Sequence, residues 1–182
     1  MSRVQLIDSS NTTANRQALL EQVDKAFGAT PNMFKAVANS PAALKSMWGS
    51  FGALSLGVLG AKLGEQIAVA IADCNRCEYC LAAHTVLGKS AGATAEEMSA
   101  AQAGNSADPK AAAALTFALK VVTNRAQVSN EDVSRLRSAG FDDEHIVEIL
   151  AHVALNIFTN YVNVAFEVPV DFPKVALNPA AR

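Results

Sequence analysis

The amino-acid sequence predicts an all-α chain of about eight helices in a single domain, and three observations carry that expectation. Strand signals are nearly absent, because no run of alternating β-branched residues is bounded by turns. Apolar residues recur instead at helical spacing, as in Leu19, Leu20, Val23 and Phe27. Helix-start and helix-stop residues punctuate the chain at short intervals, with no linker, internal repeat or low-complexity tract between them.

Taken in order, Asn15 can cap a first helix from about Arg16 to Phe27. Thr30-Pro31 opens a short helix that ends near Asn39. Ser40-Pro41 is an N-cap followed by proline at the first helical position, for a helix that runs to about Leu56 and is broken by Gly57 to Gly60. A helix from about Lys62 to Asp73 follows; after a break near Asn75, the next runs from about Cys77 to Ser90 and is stopped by Gly92. Thr94-Ala95-Glu96-Glu97 matches a capping box. Asp108-Pro109 begins a helix over about Lys110 to Arg125, and Ser129, with Asp132 three residues on, caps another that Gly140 ends. Asp142 or Asp143 caps the last and longest helix, to about Phe166. The tail from Val168 to Arg182 holds three prolines and is expected to lie extended over the domain or a neighbour. Residues 1–15 and 168–182 read as arms on this single domain.

Composition excludes several classes of function. A chain of 182 residues buries roughly 70% of its unfolded surface, so it needs neither disulfides nor metal for stability. Hydrophobic residues make up 51% and charged residues 18%, with alanine supplying much of the apolar excess, and such small side chains allow close helix packing. The formal net charge of −2 and the lack of a basic block argue against a nucleic-acid partner. No stretch approaches the roughly 18 apolar residues that span a bilayer, and the N-terminal run lacks the regions of a signal peptide. The expectation is a soluble, cytoplasmic protein. All three cysteines, Cys74, Cys77 and Cys80, fall within seven residues. A secreted disulfide framework spreads its cysteines, whereas a local cluster reads as redox or metal chemistry.

The informative stretch runs from Glu65 through Cys77-Glu78-Tyr79-Cys80 to His84. Helical positions i, i+3 and i+7 share a face, so Cys77, Cys80 and His84 form one stripe. Cysteines three apart at a helix start have Cα atoms about 5.5 Å apart, inside the disulfide range. Unpaired amides and the helix dipole favour a thiolate there. An imidazole one turn on can take up or pass a proton, and a carboxylate such as Glu65, on the preceding helix, can hold that imidazole in one tautomer. Other chemistries stay open at this point. Cys74, Cys77, Cys80 and His84 could supply four zinc ligands, C-x2-C-x2-C is part of an iron–sulfur pattern lacking its fourth cysteine, and the cysteines could be inert core residues.

The same stretch resembles the active-site motif of the AhpD-like alkylhydroperoxidases, within the carboxymuconolactone decarboxylase superfamily. That motif is a glutamate, eleven residues, then C-x-x-C-x-x-x-H, matched here by Glu65, Cys77, Cys80 and His84. The segment Ala72 to Gly92 is similar to the family's core, and Asn160-Tyr-Val-Asn163 with Val170-Asp171-Phe172-Pro173 resembles a peroxidase-related branch. The resemblance covers a core of about residues 30–174 and implies an all-α fold assembled into trimers or hexamers. It implies that Cys80 attacks a hydroperoxide, that Cys77 resolves the sulfenic acid as an intramolecular disulfide, and that Glu65 and His84 relay protons with a water. It further implies no cofactor beyond that redox-active disulfide, and a dithiol reductant of unidentified nature. One departure is visible: Tyr79 stands where the better-studied members carry a histidine. That departure motivates an alternative, a thiol-disulfide oxidoreductase acting on a protein partner. A zinc-binding structural oligomer is the non-enzymatic alternative.

Remaining candidates have ordinary readings beside functional ones. His145 and His152 lie two turns apart on the last helix, where one exposed and one core histidine is the usual outcome. Cys74 reads as a small buried hydrophobe. Asn156, Asn160 and Asn163 are polar residues inside a largely apolar helix, suited to line a pocket or bond across an interface. Phe34, Trp48 and Phe51 read as core or interface. The chain has no glycine-rich phosphate loop and no G-x-S-x-G elbow.

Overall fold

The structure is a computed structural model that describes residues 2–179. Among the described residues there are nine α-helices and no strand: α1 (Ala14–Phe27), α2 (Asn32–Val37), α3 (Pro41–Leu54), α4 (Ala61–Cys74), α5 (Glu78–Ser90), α6 (Ala95–Gln102), α7 (Pro109–Thr123), α8 (Asn130–Ser138) and α9 (Asp143–Ala165). The all-α expectation holds, with one helix more than the round figure of eight.

The capping residues act largely as their types dictate. Ser40, Thr94, Asp108, Ser129 and Asp142 each accept from a backbone N–H of the first turn, and Thr94–Glu97 and Ser129–Asp132 close full capping boxes. Asn15 is the exception. Thr13 takes the extended N-cap conformation and α1 begins at Ala14, so Asn15 already lies inside the first turn. The six-residue α2 has no side-chain cap of its own. Its first amides are satisfied from afar: Asn32 N donates to Asp171 Oδ2 at 2.7 Å and Met33 N to the Tyr79 hydroxyl at 3.2 Å.

Helix α4 occupies the centre. Ile67 through Ala72 are consecutive and all buried, and a helix apolar on every side belongs inside a bundle. It packs against α5, α6, α7 and α9. A second focus lies between α1, α2 and α3, where the rings of Phe27, Phe34, Trp48 and Phe51 meet at centroid distances of 5.7–6.3 Å. Phe34, at 2% exposure, is its centre.

Both arms lie on the domain itself. Arg3 N donates to Phe166 O and Ile7 N to Lys35 O. The described part of the C-terminal tail has no helix or strand and lies over the domain, as expected, pinned by Asp171 on α2, by Phe172 edge-on against Tyr79, and by Asn178 N on Asp73 Oδ1. Residue 1 and residues 180–182 of the expected arms lie outside the described residues. On α9, Val147, Leu150, Phe158, Tyr161 and Val164 form an exposed apolar stripe. Among the described residues no helix is long and apolar enough to cross a membrane.

Candidate redox site

The site is built where α4 hands over to α5. α4 ends at Cys74, Arg76 turns the chain through a left-handed conformation (φ 57°), and Cys77 becomes the extended N-cap of α5. Cys77 Sγ accepts from Cys80 N at 3.2 Å, standing where a serine or aspartate oxygen caps other helices. Cys77 and Cys80 are joined as a disulfide with Cα atoms 5.3 Å apart, close to the spacing expected from sequence. Both are almost fully buried, at 1% and 2% exposure.

His84 follows one turn after Cys80 and meets Glu65 of α4, with Nδ1 and Oε2 2.7 Å apart. This joins the two residues that sequence spacing could only suggest as neighbours. An ionised carboxylate can only accept, so with Glu65 in that form Nδ1 carries the hydrogen and Nε2 is the free acceptor. Gly88 faces α6: a Cβ at that position would overlap the Met98 thioether, while it would stand in ordinary contact with Glu65 Cβ.

The two cysteines line different spaces. Cys80 and His84 line an inner cavity of about 30 Å³ walled mainly by Phe27, Met33, Phe34, Leu87 and Phe172. That is room for about one water molecule. Cys77 instead lines an outer groove of about 350 Å³ with Arg76, Glu78, Glu167 and Pro169. Tyr79 and Asn163 border both spaces. Tyr79 points its hydroxyl at the start of α2, where burial raises its pKa well above the usual range and Asp171 adds to the effect. It stays a protonated structural group. Asn163, reaching from α9, donates from Nδ2 to Cys80 Sγ at 3.2 Å and is itself buried.

The other histidines divide. His145 bonds Asp142 at the start of its own helix, Nδ1 to Oδ1 2.6 Å. His152 is half-buried against Gly64, its Cε1 3.1 Å from where a Cβ would stand, and its Nε2 has no partner. Burial lowers its pKa, against the opposing pull of the Glu148 and Glu65 carboxylates. Cys74 corrects its sequence reading: it is exposed and free. It is the last residue of α4, beyond the buried stretch that ends at Ala72. Among the described residues no group of three or more His, Cys, Asp or Glu side chains is arranged to hold a metal ion. Sequence reasoning named Asn163 only as a polar residue inside an apolar helix. Its place on the Cys80 sulfur carried no further signal in the sequence.

A nine-helix domain with a C-x-x-C pair at a helix start, backed by a Glu–His pair, is similar to AhpD-like domains. Residues 41–124, which include all four of these side chains, match the carboxymuconolactone decarboxylase family. The solved structures it is similar to agree. A peroxidase-related protein from Ralstonia eutropha JMP134, described as an alkylhydroperoxidase AhpD core and as uncharacterized, superposes with a TM-score of 0.85 at 25% identity, covering 93% of this chain and 92% of that one. An uncharacterized peroxidase-related protein from Silicibacter sp. TM1040 gives 0.79 at 25% identity, covering 96% and 92%. The debrominase Bmp8, in complex with 2,3,4-tribromopyrrole, gives 0.79 at 20% identity with 94% of each chain covered, and shares the fold. No curated protein matches the sequence. The AhpD-like resemblance read from Glu65, Cys77, Cys80 and His84 is thus borne out.

Proposed function

We propose that this protein is a thiol-dependent hydroperoxide reductase. The observation that carries the reading is the Cys77–Cys80 pair beside the Glu65–His84 hydrogen bond. In the proposed cycle the Cys80 thiolate attacks the peroxide oxygen, the O–O bond breaks, and the departing alkoxide takes a proton through His84, held by Glu65. Cys77 then attacks the Cys80 sulfenic acid, a disulfide forms and water leaves. A dithiol partner returns two electrons and two protons, and no cofactor beyond the disulfide is needed. The cytoplasm, whose thiol pool would supply such a reductant, is the proposed compartment.

A homo-oligomer, trimer or hexamer, is part of this proposal, and the exposed apolar stripe of α9 supports it. A second reading, disulfide exchange with a protein partner, draws on the groove that leads to Cys77. Steady-state assays separate the two. The Cys80→Ser protein should keep its fold and lose turnover of cumene hydroperoxide with dithiothreitol as reductant. Undiminished turnover in that variant would remove Cys80 from the reaction. A parent protein inert to every peroxide but fast in disulfide exchange would favour the second reading.

A further inference from the structure

We propose that Asn163 stabilises the Cys80 thiolate, and so controls how readily the Cys77–Cys80 bond opens and the freed Cys80 sulfur reacts. The two sulfurs have one hydrogen-bond donor each. Cys77 has the Cys80 amide of its own helix turn. Cys80 has the side-chain amide of Asn163, 83 residues further along the chain. No other side-chain donor bonds to the Cys80 sulfur among the described residues. Tyr79, between the two cysteines, turns its hydroxyl to Met33 N. His84 spends Nδ1 on Glu65.

The placement of Asn163 fits that task. An amide N–H aimed at sulfur is worth more to a thiolate than to a thiol, because a hydrogen bond to a charged acceptor is the stronger one. The site is buried and walled by aromatic and aliphatic groups, where desolvation by itself would favour the neutral thiol. Asn163 carries no charge, so it adds a donor without adding a proton to the titration. The titratable and charged groups facing the pair are Tyr79 and His84 in the inner cavity, with Glu65 behind His84, and Arg76, Glu78 and Glu167 along the outer groove. From α9, the face packed on Cys80 presents Asn163.

The geometry also assigns a direction to reduction. Cys77 is the cysteine that lines the outer groove, although only 1% exposed, so on this proposal a dithiol's thiolate attacks Cys77 Sγ. A bond forms from the partner's sulfur to Cys77, the Cys77–Cys80 bond breaks, and its electron pair leaves on Cys80, where the Asn163 N–H waits. The dithiol's second thiolate then attacks its own first sulfur and releases Cys77. The catalytic meaning of this rests on the reductase reading above, whereas the effect on the sulfur does not.

The test is therefore made on the thiol. In a Cys74→Ser/Cys77→Ser background the remaining cysteine is Cys80, and its rate of alkylation by iodoacetamide is followed against pH. Asn163→Leu, close in shape, should raise the midpoint by about one pH unit and slow alkylation near neutrality about tenfold. Asn163→Asp, the same size but with an acceptor in place of the donor, should raise the midpoint further. Thermal unfolding of each variant checks the fold, and a merely structural role would move the melting temperature but not the midpoint. Should the leucine variant fail to fold, the aspartate variant decides. An unchanged or lowered midpoint in a folded variant overturns the proposal. The readout uses no hydroperoxide, so a protein without peroxidase activity could still pass it, and failure here would leave the Glu65–His84 relay standing.

Discussion

Cys77 and Cys80 are one helical turn apart, yet they are served by different parts of the molecule. Cys77 is held by its neighbourhood in sequence: it caps α5 and accepts from the amide three residues on. It lines an outer groove walled by both charged and apolar residues. Cys80 is held by the tertiary fold. Its donor comes from α9, its cavity wall comes from α1, α2 and α3 together with the tail, and its imidazole is set by α4. A C-x-x-C pair looks symmetrical when written as a motif. The fold sets one end of the disulfide beside an outer groove and the other against an apolar inner cavity, with both cysteines almost fully buried.

The sharpest way to break this comparison is to remove each sulfur in turn. Cys80→Ser should abolish peroxide reduction, by about a thousandfold or more, because the attacking atom itself is lost. Cys77→Ser should lose continuous turnover but still consume about one equivalent of hydroperoxide per chain, leaving a sulfenic acid on Cys80 that a dimedone probe labels. Equal behaviour of the two variants would erase the proposed division of roles. Glu65→Gln comes next. It keeps the hydrogen-bonding shape but not the carboxylate, and turnover should fall about a hundredfold, the usual scale for a lost general-base contribution. His84→Gln should fall similarly, and the double variant no further than either, as expected of residues that act as one unit.

Tyr79→Phe separates the buried residue between the cysteines from the chemistry. Losing the bond to Met33 N should cost about 1 kcal/mol of stability, measured by urea unfolding. The reactivity of Cys80 should be unchanged, in contrast to the variants of Asn163. The smallest effect concerns pH. Folding holds His152 below its ordinary value of 6.5 by burial. As pH falls through 6.5, the unfolded chain takes up a proton that the folded chain refuses. The unfolded state then binds more protons, so stability drops with falling pH until the folded imidazole also titrates. His152→Gln should flatten that part of the stability–pH curve, and an unaltered slope would show that His152 is not its source.

The contrast between the sulfurs is also the contrast between what could and could not be read in the sequence. The helices could be read because their signals are local. Ser40-Pro41 and the Thr94 and Ser129 boxes appear as caps where their residue types say they should. Helical spacing brings Cys80 and His84 together one turn apart, whereas Cys77, expected on the same helical stripe, is the extended N-cap just outside α5 and lines a different space. Glu65 required more. Its spacing before Cys77 suggested the meeting with His84, but only the packing of α4 on α5 makes it a 2.7 Å contact. Asn163 required the whole fold, since nothing in residues 156–163 says which buried polar group α9 will turn toward residue 80. Cys74 misled for a related reason. Its residue type is usually buried, but it falls one step past the point where α4 leaves the core. α2 is the same lesson in miniature, because its start is capped from Asp171, 139 residues away.

The most direct test of the central claim is a thiol count on the reduced protein, before and after one equivalent of organic hydroperoxide per chain. Three free thiols should become one, and peptide mapping should find Cys77 linked to Cys80 with Cys74 still free. Retention of all three thiols, or a new disulfide that includes Cys74, would contradict the proposal that Cys80 is oxidised first and resolved by Cys77.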